Sequence, residues 1–189
     1  MRILILGPQG SGKGTQAKRI AAAYGVPHVA TGDMFRAAVA EGSELGRKVA
    51  PLLEEGLLVP DDLTIDLIRA RLADEDGFVL DGFPRTVPQA EALDAMLDEI
   101  GKPLDAVILL QVSDEIATER LRERAAQEGR ADDTPDAIAN RLRQYHELTE
   151  LVVDRYQLAG IEVVVDGEQP MDDVFAAIQD ALWSMAASR

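Results

Sequence analysis

The chain has 189 residues, no cysteine, and 34 acidic against 19 basic side chains, for a formal net charge of -15. This length suits one globular domain, and the absence of cysteine excludes a disulfide framework, a thiolate zinc site and a cysteine nucleophile. The acidic excess argues against a nucleic-acid-binding surface. Fifteen of the 19 basic residues are nevertheless arginine, the side chain that grips phosphate with two donors.

The N-terminal apolar run, residues 1–7, is far shorter than the apolar part of a signal peptide. No stretch of the chain approaches the ~20 apolar residues that a membrane-spanning helix needs. We therefore expect a soluble cytoplasmic protein that has no membrane partner.

Short apolar runs alternate with amphipathic segments along the chain. The runs predict strands at 2–6, 27–30, 78–81, 106–112 and 161–165. Apolar residues at helical spacing predict helices at 15–24, 31–41, 44–55, 61–73, 88–100, 114–124, 135–157 and 172–185. Strands separated by helices pair in parallel, so the sequence predicts an α/β fold around a five-stranded parallel sheet. A helical insertion near 30–59 and a polar loop at 125–133 interrupt this alternation.

Three helix starts carry capping residues. Thr31, the Asp61–Asp62 pair after Pro60, and Thr134 before Pro135 each precede or open a predicted helix. Side chains with an oxygen close to the backbone accept hydrogen bonds from the first N–H groups of a helix, and proline suits its first position. We therefore predict that these residues cap the helices that follow them.

The first strand runs directly into a glycine-rich loop, GPQGSGKGT at 7–15, which opens the first helix. Glycines let backbone N–H groups converge on phosphate oxygens, and the helix N-terminus adds a positive dipole end. Lys13 can reach the β- and γ-phosphates of a nucleotide. A glycine-rich turn with a solvated lysine is the alternative, but the strand before and the helix after favour a P-loop of the NTPase type.

With Gln16 included, this loop resembles the opening of the nucleoside monophosphate kinases, and of adenylate kinases in particular, although that family usually has proline at the position of Gln9. The resemblance covers essentially the whole chain. It implies that the loop, two arginines and, more weakly, a glutamine after the last strand bind ATP. These residues are Gly10, Ser11, Gly12, Lys13, Gly14, Thr15, Arg120, Arg124 and Gln169. A plain strand-to-helix loop is the alternative for the last of them.

The segment TGDMFR at 31–36 begins the helical insertion, and GLLVPD at 56–61 ends it. By themselves these segments also fit a capped surface helix and a proline-bounded turn. They resemble the AMP-binding segments of the same family, in which a threonine contacts adenine, an arginine holds the phosphate and apolar residues line the base pocket. The resemblance implies that AMP is bound by Thr31, Arg36, Leu57, Leu58 and Val59.

The third strand ends in DGFPR at 81–85, at the edge where an open parallel sheet places its ligands. A strand-end carboxylate suits Mg²⁺ held through water, and Arg85 can clamp a phosphate; a tight turn with a local ion pair is the alternative. The segment matches the family signature in full, and Gln89 matches the glutamine that reads the adenine edge. The resemblance implies AMP binding by Gly82, Phe83, Pro84, Arg85 and Gln89, and Mg²⁺ orientation through water by Asp33 and Asp81.

Four arginines of the C-terminal half complete the resemblance, and they match the family's lid arginines, which bracket the phosphates of both nucleotides: Arg120, Arg124, Arg130 and Arg141. The first two share one helix face, where Glu119 and Glu123 could pair with them instead. The candidate lid at 125–135 is short. It resembles the short-lid type, so we predict no structural zinc.

The resemblance implies reversible phosphoryl transfer from ATP to AMP, giving two ADP, with Mg²⁺ as the cofactor. We expect one kinase domain with a core at 1–29, 60–124 and 136–189, a monophosphate-binding insertion at 30–59 and the lid at 125–135. We also expect a monomer that binds ATP, AMP and ADP but no nucleic acid. A UMP/CMP-type kinase and a nucleotide-binding regulatory protein remain alternatives. The expected catalytic cations are Lys13, Arg85, Arg120, Arg124, Arg130 and Arg141.

Overall fold

One parallel sheet forms the centre of the molecule. The computed structural model describes residues 1–130 and 132–187, so residue 131, within the candidate lid, lies outside the described residues. Within these ranges the strands pair in the order β2-β3-β1-β4-β5, all of them parallel, which confirms the predicted α/β fold. The strands are β1 (Arg2–Leu6), β2 (His28–Ala30), β3 (Phe78–Asp81), β4 (Ala106–Gln111) and β5 (Glu162–Asp166).

Helices connect the strands and cover the sheet. They are α1 (Lys13–Tyr24), α2 (Thr31–Ala40), α3 (Glu44–Glu54), α4 (Asp61–Leu72), α5 (Val87–Glu99), α6 (Asp114–Glu128), α7 (Pro135–Gln144), α8 (Glu150–Leu158) and α9 (Met171–Ala187). In the part of the chain that the structure describes, none of the helices combines the length and the apolar character required to cross a membrane.

Two apolar clusters lie on opposite faces of the sheet. Alternate residues of β1 take part in both, with Leu4 in one cluster and Ile3 in the other. The first cluster packs against α4, α5 and α8, and the second packs against α1 and α9. Because helices cover both faces, the inner strands are apolar throughout rather than alternating, as the sequence predicts.

The strand order places a crevice at the carboxyl ends of the central strands. β1 lies in the middle of the sheet. From β1 the chain leaves toward β2 on one side, whereas from β4 it leaves toward β5 on the other side. Connections that diverge in this way leave a gap above the strand ends, and open α/β sheets bind their ligands there.

Helices α2 and α3 form a hairpin between β2 and α4. The Ser43 hydroxyl caps α3 by accepting a hydrogen bond from the Gly46 N–H at 3.0 Å. A side chain at Gly46 would collide with the Ala38 backbone, so glycine is what allows the two helices to pack so closely. The hairpin also carries its own buried apolar cluster, formed by Phe35, Val49 and Val59.

The end of α6 differs from its predicted position. The sequence predicts a helix that ends at Arg124 and a loop from 125, but the helix continues to Glu128. Residues 125–127 are two alanines and a glutamine, which favour helix, and Gly129 then ends it in the left-handed conformation at φ 64°. Part of the segment predicted as the lid loop is therefore helical.

Two predicted caps are wrong. Thr31 and Asp61 are the first residues of α2 and α4, and neither makes a capping hydrogen bond. Their side chains face other elements instead. The Thr31 hydroxyl donates to the Gly82 carbonyl at 2.9 Å, and the Asp61 carboxylate accepts from residues at the start of α5. The Thr134 cap is confirmed, because its hydroxyl accepts from the Ala137 N–H at 3.2 Å.

The helix predicted at 135–157 contains a π-helical turn at Tyr145–Thr149, between α7 and α8. Two contacts tie this turn to other elements. The Thr149 hydroxyl donates to the Arg85 carbonyl at 3.0 Å. The His146 ring lies between two carboxylates, 2.7 Å from Glu150 through Nδ1 and 3.0 Å from Asp114 through Nε2. The turn therefore links the start of α6 with the long helix that returns from the lid segment.

Candidate active site

The predicted site residues meet in one cleft of about 590 Å³ above the carboxyl ends of the strands. The glycine-rich loop, the α2–α3 hairpin, the β3–α5 segment, α6, α7 and the loop after β5 all contribute walls. Two of the predicted residues do not line it. Phe83 is fully buried in the hydrophobic core, and Pro84 faces a small neighbouring cavity.

The glycine-rich loop crosses the floor of the cleft between β1 and α1. Gly7 and Gly10 have φ values of 139° and 89°, which favour glycine, and a side chain at Gly10 would collide with the Ala117 backbone. The Lys13 ammonium group donates to the Pro8 carbonyl at 2.7 Å, so the lysine folds back over its own loop. Burial lowers the pKa of Lys13 to about 8, despite the opposing attraction of Asp81.

Asp81 ends β3 directly beside this loop. Its carboxylate lies 3.6 Å from the Nε2 atom of His28 on β2. Burial alone would raise the pKa of Asp81, but His28, Lys13 and Arg85 together hold that pKa below its ordinary value. The carboxylate is therefore ionised at neutral pH and available to a cation.

Arg85 is a partly buried cation in the turn that follows Asp81. Its Nε donates to the Gly82 carbonyl at 2.8 Å, which fixes the guanidinium in the turn after β3. Burial lowers the pKa of Arg85 to about 10, and the nearby charges of Arg141 and Arg36 act in the same direction. Three guanidinium groups thus converge in one part of the cleft, where an anion would be strongly attracted.

Gln89 is buried at the base of α5, where its side-chain amide makes two hydrogen bonds. Its Oε1 accepts from the Arg85 N–H at 2.8 Å, and its Nε2 donates to Asp61 at 2.7 Å. The same Asp61 carboxylate accepts from the Thr86 hydroxyl at 3.0 Å. Gln89, which the sequence predicts to contact adenine, is thus held by Asp61, which does not line the cleft.

Two adjacent aspartates pair with the arginines of α6 and α7. Asp133 is bound by Arg124 at 2.8 and 2.9 Å and by Arg141, and its side chain has no exposed surface. Asp132 lies 2.9 Å from Arg141 and 3.4 Å from Arg130. Burial alone would raise the pKa of Asp132, but the surrounding arginines hold it below its ordinary value. These contacts replace the alternative pairing of Arg124 with its helix neighbours.

The loop after β5 forms the remaining wall. The Arg120 guanidinium donates to the Gly167 carbonyl at 2.8 Å, which joins α6 to this loop. Gln169 lines the cleft, and its amide donates to Asp166 at 2.7 Å. The loop therefore closes the cleft beside the glycine-rich loop.

Comparison with known proteins adds the family. The family model described as Adenylate kinase matches residues 5–161. The chain belongs to the adenylate kinase family. The adenylate kinases of Stenotrophomonas maltophilia (strain R551-3) and Xanthomonas euvesicatoria pv. vesicatoria (strain 85-10) are 46% identical to it over 185 residues, covering 96% of this chain and 99% of each relative. The adenylate kinase of Lachnospira eligens is 44% identical over 208 residues, covering 94% of this chain and 98% of the relative.

Three polar residues of this adenylate kinase family member contact the predicted site residues, although the sequence pattern did not assign them to the site. His28 lies beside Asp81, and Asp61 holds Gln89. Gln144, at the end of α7, accepts from the Leu58 N–H at 2.9 Å and donates to the Gly56 carbonyl at 2.8 Å. Of these three residues, only Asp61 was part of a recognisable sequence pattern, because it follows Pro60. That pattern indicates the start of a helix rather than a partner for another side chain.

Helix α7 is therefore connected to both halves of the cleft. Arg141 faces the arginine–aspartate cluster, and its second amino group lies 3.4 Å from the Leu53 carbonyl. Asn140 donates to the Glu55 carbonyl at 2.8 Å. Together with Gln144, these side chains bind the backbone of 53–58, where the helical hairpin returns to the core. This segment leads into Leu57, Leu58 and Val59, which line the cleft.

Proposed function

We infer that this chain is an adenylate kinase, a phosphotransferase that moves the terminal phosphoryl group of ATP to AMP and forms two ADP. One observation carries this conclusion. A single cleft holds a glycine-rich loop with Lys13 together with a group of cations formed by Arg36, Arg85 and Arg141. Two phosphate chains can therefore meet end to end between these groups.

We propose that ATP lies along the glycine-rich loop and that AMP lies between the hairpin and the β3–α5 segment. The backbone N–H groups of 10–15 and the start of α1 suit the phosphates of ATP. Leu57, Leu58 and Val59 supply apolar walls for the AMP base, and Thr31 and Gln89 supply polar ones. Gln169, in the loop after β5, is placed for the adenine of ATP.

The protein's chemical contribution is to position and neutralise charge. In phosphoryl transfer the charge spreads over the equatorial oxygens of the moving group, while the attacking and leaving oxygens stay in line. Two polyanions repel each other unless cations surround them. We assign that role to Lys13, Arg85, Arg120, Arg124, Arg130 and Arg141, with Arg36 on the AMP phosphate. Preorganised cations in a desolvated cleft stabilise such a transition state strongly.

The magnesium ion that accompanies nucleotides in this family fits the cleft. Asp81 is ionised and half-enclosed beside Lys13, and Mg²⁺ takes only one or two protein carboxylates when phosphates and water supply its other ligands. We propose that Asp81, and Asp33 at the edge of the cleft, hold the ion through its waters. When bound, it would neutralise phosphate charge and keep the phosphates aligned.

We propose that the hairpin at 30–59 and a short lid at 125–135 close over a core formed by 1–29, 60–124 and 136–189. Closure would exclude water, which otherwise competes with AMP for the phosphoryl group. With no cysteine in the chain, such a lid offers no thiolate ligands for zinc. We further propose a monomer that works in the cytoplasm.

A coupled assay of ADP production tests the function directly. The purified protein is supplied with ATP and, in separate reactions, with AMP, UMP, CMP or GMP, each with and without Mg²⁺. We expect turnover with AMP that depends on Mg²⁺ and exceeds turnover with the pyrimidine acceptors. Preference for UMP or CMP would identify the alternative kinase, and nucleotide binding without turnover would identify a regulatory protein.

A further inference from the structure

The amide of Gln89 has two fixed neighbours of opposite character. On one side the backbone N–H of Arg85 donates to its Oε1 at 2.8 Å. On the other side the carboxylate of Asp61 accepts from its Nε2 at 2.7 Å. Gln89 is 2% exposed and lines the cleft, whereas Asp61 stands behind it at the start of α4.

These neighbours prevent the amide group from flipping by 180°. A glutamine amide rotated by 180° keeps its shape and exchanges its oxygen with its nitrogen. Here the exchange would place the NH₂ group against the Arg85 N–H and the oxygen against the Asp61 carboxylate. A backbone N–H cannot accept and an ionised carboxylate cannot donate, so both hydrogen bonds would be lost in a buried site. Of these two hydrogen bonds, only the one to Asp61 involves a partner side chain, so only this one can be altered by a substitution of the partner.

The locked amide retains one N–H and one oxygen lone pair for a ligand, each on a fixed side. Adenine presents an acceptor at N1 beside the amino group at C6, whereas hypoxanthine and guanine present a donor at N1 beside the carbonyl at C6. The two orders are opposite. An amide that could flip by 180° would form both hydrogen bonds with either kind of base, but an amide held in one orientation complements only one of them.

We propose that Asp61 is a specificity-determining positioning residue that makes the acceptor site select adenine over 6-oxopurine bases. This inference rests on the proposed function, in which Gln89 faces the base of AMP. Asp61 acts through Gln89 and does not touch the base. Its second contact, with the Thr86 hydroxyl, holds the carboxylate in place across the gap between α4 and α5.

The test replaces Asp61 with a residue of the same shape that both donates and accepts. In Asp61→Asn the new amide can pair with either orientation of Gln89, so the lock is released on that side. We expect the ratio of kcat/KM for AMP to that for IMP to fall about tenfold, with the KM for ATP unchanged. Where turnover of IMP is too slow, its inhibition constant against AMP replaces kcat/KM.

Matched variants separate positioning from a general structural effect. Asp62→Asn removes the same charge from the same helical turn at an exposed position and should leave the ratio unchanged. Asp61→Glu keeps a group that only accepts and should retain more of the selectivity than Asp61→Asn. Asp61→Ser, whose hydroxyl donates or accepts, provides a second released variant should the asparagine variant fold poorly.

The outcomes are distinguishable. An equal loss of activity with AMP and IMP in Asp61→Asn, at an unchanged ratio, overturns the inference and leaves Asp61 a structural residue. The wild-type protein in the same assay tests the proposed function separately. If it fails to turn over AMP, the function is wrong whatever the variants do, and if it turns over AMP while the ratio never moves, only the inference fails.

Discussion

Lys13 and Arg85 are charged groups that the fold holds in a desolvated place before any phosphate arrives. Burial disfavours both cations, so each has a lowered pKa. A bound phosphate chain would restore the missing counter-charge at the point where the reaction needs it. Because the cations are poorly solvated in the free protein, they favour the binding of an anionic transition state.

Lys13→Ala should lower kcat by about a hundredfold to a thousandfold, as expected for the loss of one preorganised charge donor. The measurement is steady-state ADP production with saturating ATP and AMP. Lys102→Ala, which removes a lysine paired with Asp76 at the surface, is the control and should keep wild-type kcat. Turnover at the wild-type rate in Lys13→Ala would remove Lys13 from the mechanism.

Asp133 is an anion that the fold also holds away from water. Its fully buried carboxylate compensates the positive charges of Arg124 and Arg141. Asp133→Asn leaves two arginines without that charge and should reduce the free energy of unfolding by about 3 kcal/mol. Urea denaturation followed by circular dichroism measures the loss. Asp136→Asn, three residues later and exposed, should change the stability little. An unchanged urea midpoint for Asp133→Asn would show that the cluster does not stabilise the fold.

At the scale of elements, the hydrophobic pattern predicted the strands and α-helices described here, because local periodicity reports which face is buried, but it did not predict the π-helical turn between α7 and α8. What it missed depended on contacts between elements distant in sequence. Thr31 and Asp61 fit the pattern of caps, yet their side chains bond to the β3–α5 segment. Most of the candidate site was predicted from its motifs, whereas Gln144 belongs to no motif and is found only where α7 meets the hairpin.

The link between α6 and the π-helical turn should depend on pH. Hydrogen bonds that the His146 ring donates to Glu150 and Asp114 raise its pKa above the ordinary value near 6.5, and only the imidazolium can donate to both carboxylates. Because the folded pKa is the higher one, this contribution to stability is complete below pH 6.5 and is lost as the pH rises through the folded value.

Two measurements test this link. The chain has only two histidines, so an NMR titration resolves the His146 ring and should give a pKa above 6.5. His146→Gln should be less stable than the wild-type protein at pH 6, and the difference should shrink at pH 8.5. A difference that does not vary with pH would assign His146 a role in packing alone.

For the whole molecule, the net charge of -15 hides an uneven distribution. Seven basic residues of the candidate site face four aspartates, namely Asp33, Asp81, Asp132 and Asp133, while the rest of the chain has 12 basic and 30 acidic residues. The negative charge is therefore a property of the outer surface, where it favours solubility and repels polyanions. The balance of the residues assigned to the candidate site is therefore positive although the whole chain is acidic.

This distribution predicts that phosphates, rather than the base alone, stabilise the fold. ATP at about a hundred times its Kd should raise the free energy of unfolding by about 2.7 kcal/mol, because it binds only the folded protein. Adenosine at the same concentration should have a much smaller effect. Thermal denaturation with each ligand, at low and high salt, measures both, and equal shifts from ATP and adenosine would contradict the charge argument.

The attachment of α7 to both sides of the cleft has a thermodynamic consequence. Its arginine faces the arginine–aspartate cluster, while its amides bind the backbone of 53–58, which leads into the proposed AMP site. If one nucleotide displaces α7, the proposed site of the other would therefore change. Linkage would make such an effect reciprocal, so each nucleotide would change the affinity for its partner by the same factor.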